Sequence, residues 1–144
     1  MFVSILRQGD FLIASIHAAL NDAELMEFQA DLIAQIGSCR AHGVIIDVAA
    51  LDVLDSFASK SLRDLATMAR LRGAETVIVG IQPDVAFAIV QLGMDLEVRT
   101  ALDLEEGLIC LEAVTSGHRV GHSTLGALDH GQRGAADTKP LAPA

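Results

Sequence analysis

The chain has no tryptophan and no tyrosine, and five phenylalanines are all it has of the large aromatic residues. A core made from it must be aliphatic, and stacking platforms for single-stranded nucleic acid are scarce. Cations are scarce as well. Ten Lys/Arg stand against nineteen Asp/Glu, and the formal net charge of −9 has the wrong sign for a binder of phosphate backbones. There are two cysteines, Cys39 and Cys110. Their lack of paired spacing excludes a disulfide framework, a redox motif and a cysteine metal cluster, and both are expected to be reduced packing residues. No uncharged apolar run reaches the length of a membrane span. The stretch Met1-Phe-Val-Ser-Ile-Leu-Arg7 meets a charge too early for a secretory leader. A cytoplasmic protein in contact with neither nucleic acid nor membrane is expected. Also missing are a Gly-x-Ser-x-Gly elbow, a glycine-rich phosphate loop and any Cys/His pairing at useful spacing, so neither an enzyme nor a bound cofactor is expected.

What is present is apolar and periodic. Hydrophobic residues make up 51% of 144 residues, enough for one domain with a substantial core. Phe2-Val-Ser-Ile-Leu6 and Phe11-Leu-Ile-Ala-Ser-Ile16 read as strands joined at Gly9-Asp10, which predicts an antiparallel hairpin. From about Asp22 to Arg40, Leu25, Phe28, Leu32 and Ile36 recur on one helical face, and Asn21 and Glu24 have the spacing of a capping box. Val44-Ile-Ile-Asp-Val48 is a nearly continuous apolar run, the pattern of a central parallel strand covered on both faces. A second helix follows to about Arg72, with a stripe of Ala58, Ser61, Leu62, Leu65, Met68 and Ala69, stopping near Gly73. Thr76-Val-Ile-Val-Gly-Ile81 is another strand, and Pro83 and Gly93 bracket a third helix. A weak edge strand is expected around Leu96–Arg99. Thr100 and Asp103 then open a fourth helix with Leu104, Leu108 and Leu111 as its stripe. Strands alternating with helices predict an α/β fold: a mostly parallel sheet with right-handed crossovers and an antiparallel N-terminal hairpin.

Charge and composition change near residue 113. Residues 1–113 carry seven Lys/Arg against seventeen Asp/Glu, and the remainder carries three against two. Four of those seven cations, Lys60, Arg63, Arg70 and Arg72, fall on the predicted second helix or its end. Such a helix is either a site of charge-steered protein contact or an ordinary solvated face. Beyond residue 116 lie five of the twelve glycines, two of the three prolines and three of the five histidines. This divides the chain into a domain at 1–114 and a tail at 115–144 with little fixed structure.

One stretch combines chemistry with position. Asp52, Asp55, Ser56, Phe57 and Lys60 lie where the apolar strand at 44–48 passes into the second helix. A serine at a helix start has two available roles. It can cap the helix, or it can accept a phosphate where unpaired N–H groups and the helix dipole tolerate an anion. Asp52 and Asp55 would make a phosphorylated loop strongly anionic and disfavour a partner docked there. Asp47 is not the acceptor of a receiver domain. No acidic cluster follows the first strand, and no lysine occurs between Lys60 and Lys139. It is expected to bond a nearby backbone group. His118 and His122 are spaced i, i+4, with His130 beyond, but their Gly-rich surroundings argue against a metal site. His17 and His42 fall at element ends.

With the strand–helix order and Asp55-Ser56-Phe57 in place, the chain resembles the STAS domain family, and more narrowly its RsbS-type stressosome antagonists, a kind of anti-sigma factor antagonist. The matching segments are Phe28-Gln-Ala-Asp-Leu32, Gly43-Val-Ile-Ile-Asp47, Leu51-Asp-Val-Leu-Asp-Ser-Phe-Ala-Ser-Lys60, Gly80-Ile-Gln-Pro83 and Thr100-Ala-Leu-Asp-Leu-Glu-Glu-Gly-Leu108. The resemblance implies a non-enzymatic regulator that binds a serine/threonine switch kinase and releases it once the serine matching Ser56 is phosphorylated. A phosphatase resets that serine, and the antagonist co-assembles with sensor proteins carrying similar STAS domains, forming homo- and hetero-oligomers. Where related domains often carry threonine before Gly-Ile-Gln-Pro, this chain has Val79, so a second acceptor is absent there. A scaffold subunit in which Ser56 only caps a helix, and a small-ligand or nucleotide-binding regulator, are the alternative functions.

Overall fold

A computed structural model describes residues 2–93 and 96–127, with side chains through residue 116. The elements are β1 (Val3–Gln8), β2 (Phe11–Ile16), α1 (Asp22–Cys39), β3 (Gly43–Asp47), α2 (Ser56–Leu71), β4 (Glu75–Val79), α3 (Pro83–Gln91), β5 (Arg99–Ala101) and α4 (Leu104–Ala127). They form one five-stranded sheet in the order β1-β2-β3-β4-β5. The hairpin β1–β2 is antiparallel and every later pair is parallel, as expected.

β3 lies at the centre. Val44, Ile45 and Ile46 have no solvent exposure, because alternate residues point to opposite faces and both faces are covered. On one face Val44 and Ile46 join Leu32 and Ile36 of α1, Leu62 and Leu65 of α2 and Val85 and Ile89 of α3. On the other, Ile45 joins Phe11, Val77, Val79 and Leu111 of α4. Both layers are aliphatic apart from Phe28 and Phe11, as the composition requires.

The helix ends show local chemistry at work. Asn21 caps α1 through a complete capping box with Glu24, and the helix closes at Arg40 in the left-handed region. Inside the layer, the buried Gln29 of α1 donates its amide to the Ser61 carbonyl of α2 at 2.7 Å, which fixes the two helices in register. The stripe on α2 is rotated slightly from its expected place. Ser59 and Ala66 are buried, while Ala58 and Met68 are half-buried.

Two boundaries move. Thr100 belongs to β5 rather than opening a helix, because β5 pairs with β4 through Val79↔Ala101. Asp103 alone serves the start of α4, accepting from Glu106 N at 2.9 Å. Helix α4 runs to Ala127, past the expected domain end at 114. Residues 115–127 contain no proline, and extending a helix costs far less than nucleating one. The chain divides into two units at Glu112/Ala113. Residues 128–144, His130 among them, lie outside the described residues, and so does the expectation of little fixed structure there. Both cysteines are free and half-buried.

Helix α4 approaches the sheet at Gly107, where a Cβ would stand 2.7 Å from the Val79 Cγ1. Gly107→Val should therefore destabilise the domain by about 1–3 kcal/mol through overpacking. Urea unfolding checks this, and an unchanged midpoint would show that α4 lifts from the sheet without cost.

Candidate functional site

The site lies at the carboxyl edge of the sheet, where β3 ends and α2 begins. Asp47 finishes β3 and accepts from the Ala49 N–H at 2.9 Å, the backbone bond expected of it. The Leu51 N–H returns to the Val48 carbonyl, closing a turn. Leu51 and Leu54 are buried, and between them Asp52 and Val53 are thrown outward. The loop is thus pinned at two apolar points and exposed elsewhere.

Helix α2 is capped by Asp55 rather than Ser56. Asp55 is extended, with φ −78° and ψ 179°, and its carboxylate accepts from the Ala58 N–H at 2.8 Å. Its carbonyl accepts the first intrahelical bond, from Ser59 N at 2.9 Å. Ser56 therefore occupies the first helical position. It is exposed, and its hydroxyl makes no hydrogen bond among the described residues. The capping role available to Ser56 by sequence is filled by its neighbour. Adjacent cap-capable residues, Asp55-Ser56, left that choice open, and the burial of Leu54 settles it by setting where the chain turns into the helix.

The nearby hydroxyls differ from Ser56 in access. Ser59 and Ser61 are buried, 4% and 5% exposed. Phe57 is partly exposed and Val53 largely so, giving the rim of the site an apolar surface. A small recess of about 90 Å³ is lined by Leu20, Leu51, Val53, Leu54, Asp55 and Ala58. Lys60 is held along the helix by Asp64, with Nζ 2.7 Å from Oδ2. Such an exposed i,i+4 pair is worth a few tenths of a kcal/mol and is readily exchanged for a partner's carboxylate.

A second segment holds this loop, in a role that sequence reading did not assign. Gln82 donates its side-chain amide to the Ala49 carbonyl at 2.8 Å. Gly80 has φ +81°, and a Cβ there would lie 2.9 Å from the Ala49 Cβ and 3.1 Å from the Asp47 carboxylate. The Val48 N–H bonds the Val79 carbonyl at 3.0 Å. The segments Leu51–Lys60 and Gly80–Pro83 are distant in sequence, yet the second is the seat of the first. Val79 itself is buried among Ile45, Val77 and Leu111, facing away from the site. Among the described residues there is no group of three His, Cys, Asp or Glu able to hold a metal ion. No described helix is long and apolar enough to cross a membrane.

The cap assignment separates two substitutions. Asp55→Ala should cost about 0.5–2 kcal/mol, whereas Ser56→Ala should stay within about 0.5 kcal/mol of the parent. Thermal unfolding of the two variants checks this, and a larger loss for Ser56→Ala would return the cap to the serine.

Comparison with known proteins agrees with this fold. Residues 3–107 match the STAS domain model. A serine-to-glutamate variant of RsbS from Moorella thermoacetica superposes with a TM-score of 0.69 at 32% identity, covering 79% of this chain and 97% of that one. A chain from the molecular architecture of the stressosome, a signal integration and transduction hub, gives a TM-score of 0.63 at 31% identity, covering 78% and 98%. The RsbT co-antagonist protein RsbRA of Bacillus subtilis is 34% identical over 70 residues, which is 48% of this chain. The chain spans about a quarter of that relative's length, 26%. With the family model matched across most of its length and two structures above 30% identity matched nearly end to end, the chain belongs to the STAS domain family.

Proposed function

We propose that this protein is a non-enzymatic, phospho-switched regulator that binds a serine/threonine switch kinase and releases it when Ser56 is phosphorylated, within a stressosome-like complex. The observation that carries the reading is the state of Ser56: exposed, free of capping duty and at the first turn of α2, while Ser59 and Ser61 are buried. The likeness to RsbS and to a stressosome chain supports it, and so does the likeness to a protein named for co-antagonism of RsbT.

The physical account runs through charge. Val53 and Phe57 give the kinase an apolar contact, and the recess beside Leu54 can take one of its side chains. The Ser56 hydroxyl stands between them, within reach of a bound phosphate donor. Asp52, Asp55 and Lys60 are the charged contacts, with Lys60 exchanging Asp64 for an acidic group of the kinase. An added phosphate is stabilised by the helix dipole by roughly 0.3–1 kcal/mol, so the fold survives modification. The contact does not, because a group of charge about −1.5 to −2 must be desolvated beside two carboxylates. A phosphatase then restores the docking surface.

The expected result is a single phosphate on Ser56 after incubation with ATP and a candidate serine/threonine switch kinase, read by intact mass and peptide mapping. In isothermal titration, Ser56→Ala should hold the kinase as tightly as the unmodified protein and accept no phosphate. Ser56→Asp should fold normally and bind more weakly. Equal affinities for all forms, or phosphate on Ser59 or Ser61, would overturn the assignment.

Assembly is the second part of the reading. With few aromatics and an acidic surface, association is expected through aliphatic and charged contacts. Size-exclusion chromatography with a STAS-bearing sensor protein should give a co-eluting high-mass species at physiological salt. Elution as separate monomers would count against it.

A further inference from the structure

Helix α2 carries three polar residues spaced four apart along one solvent-facing line: Ser56, Lys60 and Asp64. Residues four apart on a helix lie one above the other, so the middle residue has a neighbour on each side. Lys60 is engaged on one side. Its Nζ stands 2.7 Å from the Asp64 Oδ2, with both side chains partly in solvent. On the other side is the Ser56 hydroxyl, which carries no charge.

The existing pair is the weaker of two arrangements open to Lys60. A cation in a helix pairs best with an anion one turn nearer the N-terminus, because long side chains lean that way and the order suits the helix dipole. The Lys60–Asp64 pair has the reverse order. An anion at residue 56 would have the favoured one. A phosphate there would carry a charge of about −1.5 to −2 and three acceptor oxygens, against the single charge of a carboxylate.

Other groups near residue 56 are less well placed. Lys60 is the one lysine before Lys139, and Arg63, the next cation along α2, lies seven residues from Ser56, two turns away rather than one. Asp55 holds the Ala58 N–H as the helix cap, and Asp52 belongs to the loop before the helix. Charge, side-chain direction and the dipole therefore all draw Lys60 toward a phosphate on Ser56.

We propose that phosphorylation of Ser56 takes Lys60 from Asp64 and holds it on the phosphate, leaving Asp64 uncovered one turn further along α2. The inference rests on Ser56 being the modified residue, and it gives the switch a second part. Before modification the line reads hydroxyl, cation, carboxylate, and the cation is free to exchange Asp64 for a partner's acidic group. Afterwards the cation is held by the protein's own phosphate, and a bare carboxylate stands beyond it. The kinase then loses its charged contact at Lys60 as well as meeting the phosphate.

Phosphoserine placed at position 56 during translation makes the test independent of any kinase. In the unmodified protein, Asp64→Asn should move the side-chain ammonium resonances of Lys60. In the phosphorylated protein the same substitution should leave them unmoved. Lys60→Gln should then shift the 31P resonance of the phosphate, Lys60→Arg should hold it near the parent position, and Arg70→Gln should leave it unchanged. Lys60 resonances that still follow Asp64→Asn after phosphorylation would overturn the capture. So would a 31P resonance that responds to Arg63→Gln and not to Lys60→Gln. Failure of a candidate kinase to modify Ser56 would instead strike the switch, while the resonances of the encoded phosphoprotein decide the capture by themselves.

Discussion

A strand that is apolar on both sides can be buried only where something covers each face, and β3 imposes that requirement on the molecule. Val44 and Ile46 demand helices on one side, and Ile45 demands α4 on the other. Parallel pairing with β2 and β4 requires crossovers, which deliver α1 and α2 to the same layer. The candidate site is a by-product of this packing. The chain must leave the carboxyl end of β3, turn outward and re-enter as α2, and the exposed turn carries Asp52 to Phe57.

An exposed turn is not by itself a defined surface. This one is made so by attachments of different kinds. Leu51 and Leu54 anchor it hydrophobically, Asp47 and Gln82 bond its backbone, and Gly80 leaves room for it. Backbone groups in such loops must find partners, and here neighbouring crossover segments supply each other's. The result is a helix start whose place is set by the fold around it, with Ser56 taking no part in holding it.

The two edges of the sheet have different chemistry. At the carboxyl edge Asp47, Asp55, Lys60 and Gln82 all have partners within the protein, while the buried Ser59 hydroxyl has none. The Ser56 hydroxyl is left over at the surface, where water serves it. At the amino edge the Thr76 hydroxyl is left over inside, where water does not. A surplus hydroxyl on the surface is open to modification, whereas one buried without a partner is a local cost of the packing.

Sequence alone determined the elements and their order, because period-2 and period-3.6 hydrophobicity reflect backbone geometry that no tertiary contact changes. It also determined the hairpin at Gly9-Asp10, the capping box at Asn21 and Glu24, the central place of residues 44–48 and the candidacy of Ser56. Tertiary structure decided what depends on which of two equivalent residues is used, or on segments far apart. It gave the cap to Asp55, since Asp and Ser are both good caps and only the buried Leu54 sets the turn. It moved Thr100 into β5, since a three-residue edge strand exists only through its pairing with β4. It carried α4 to Ala127, past a boundary drawn from composition and charge. It brought Gln82 and Gly80 to Ala49, because contacts between crossovers follow from the fold's winding and leave no local period to read.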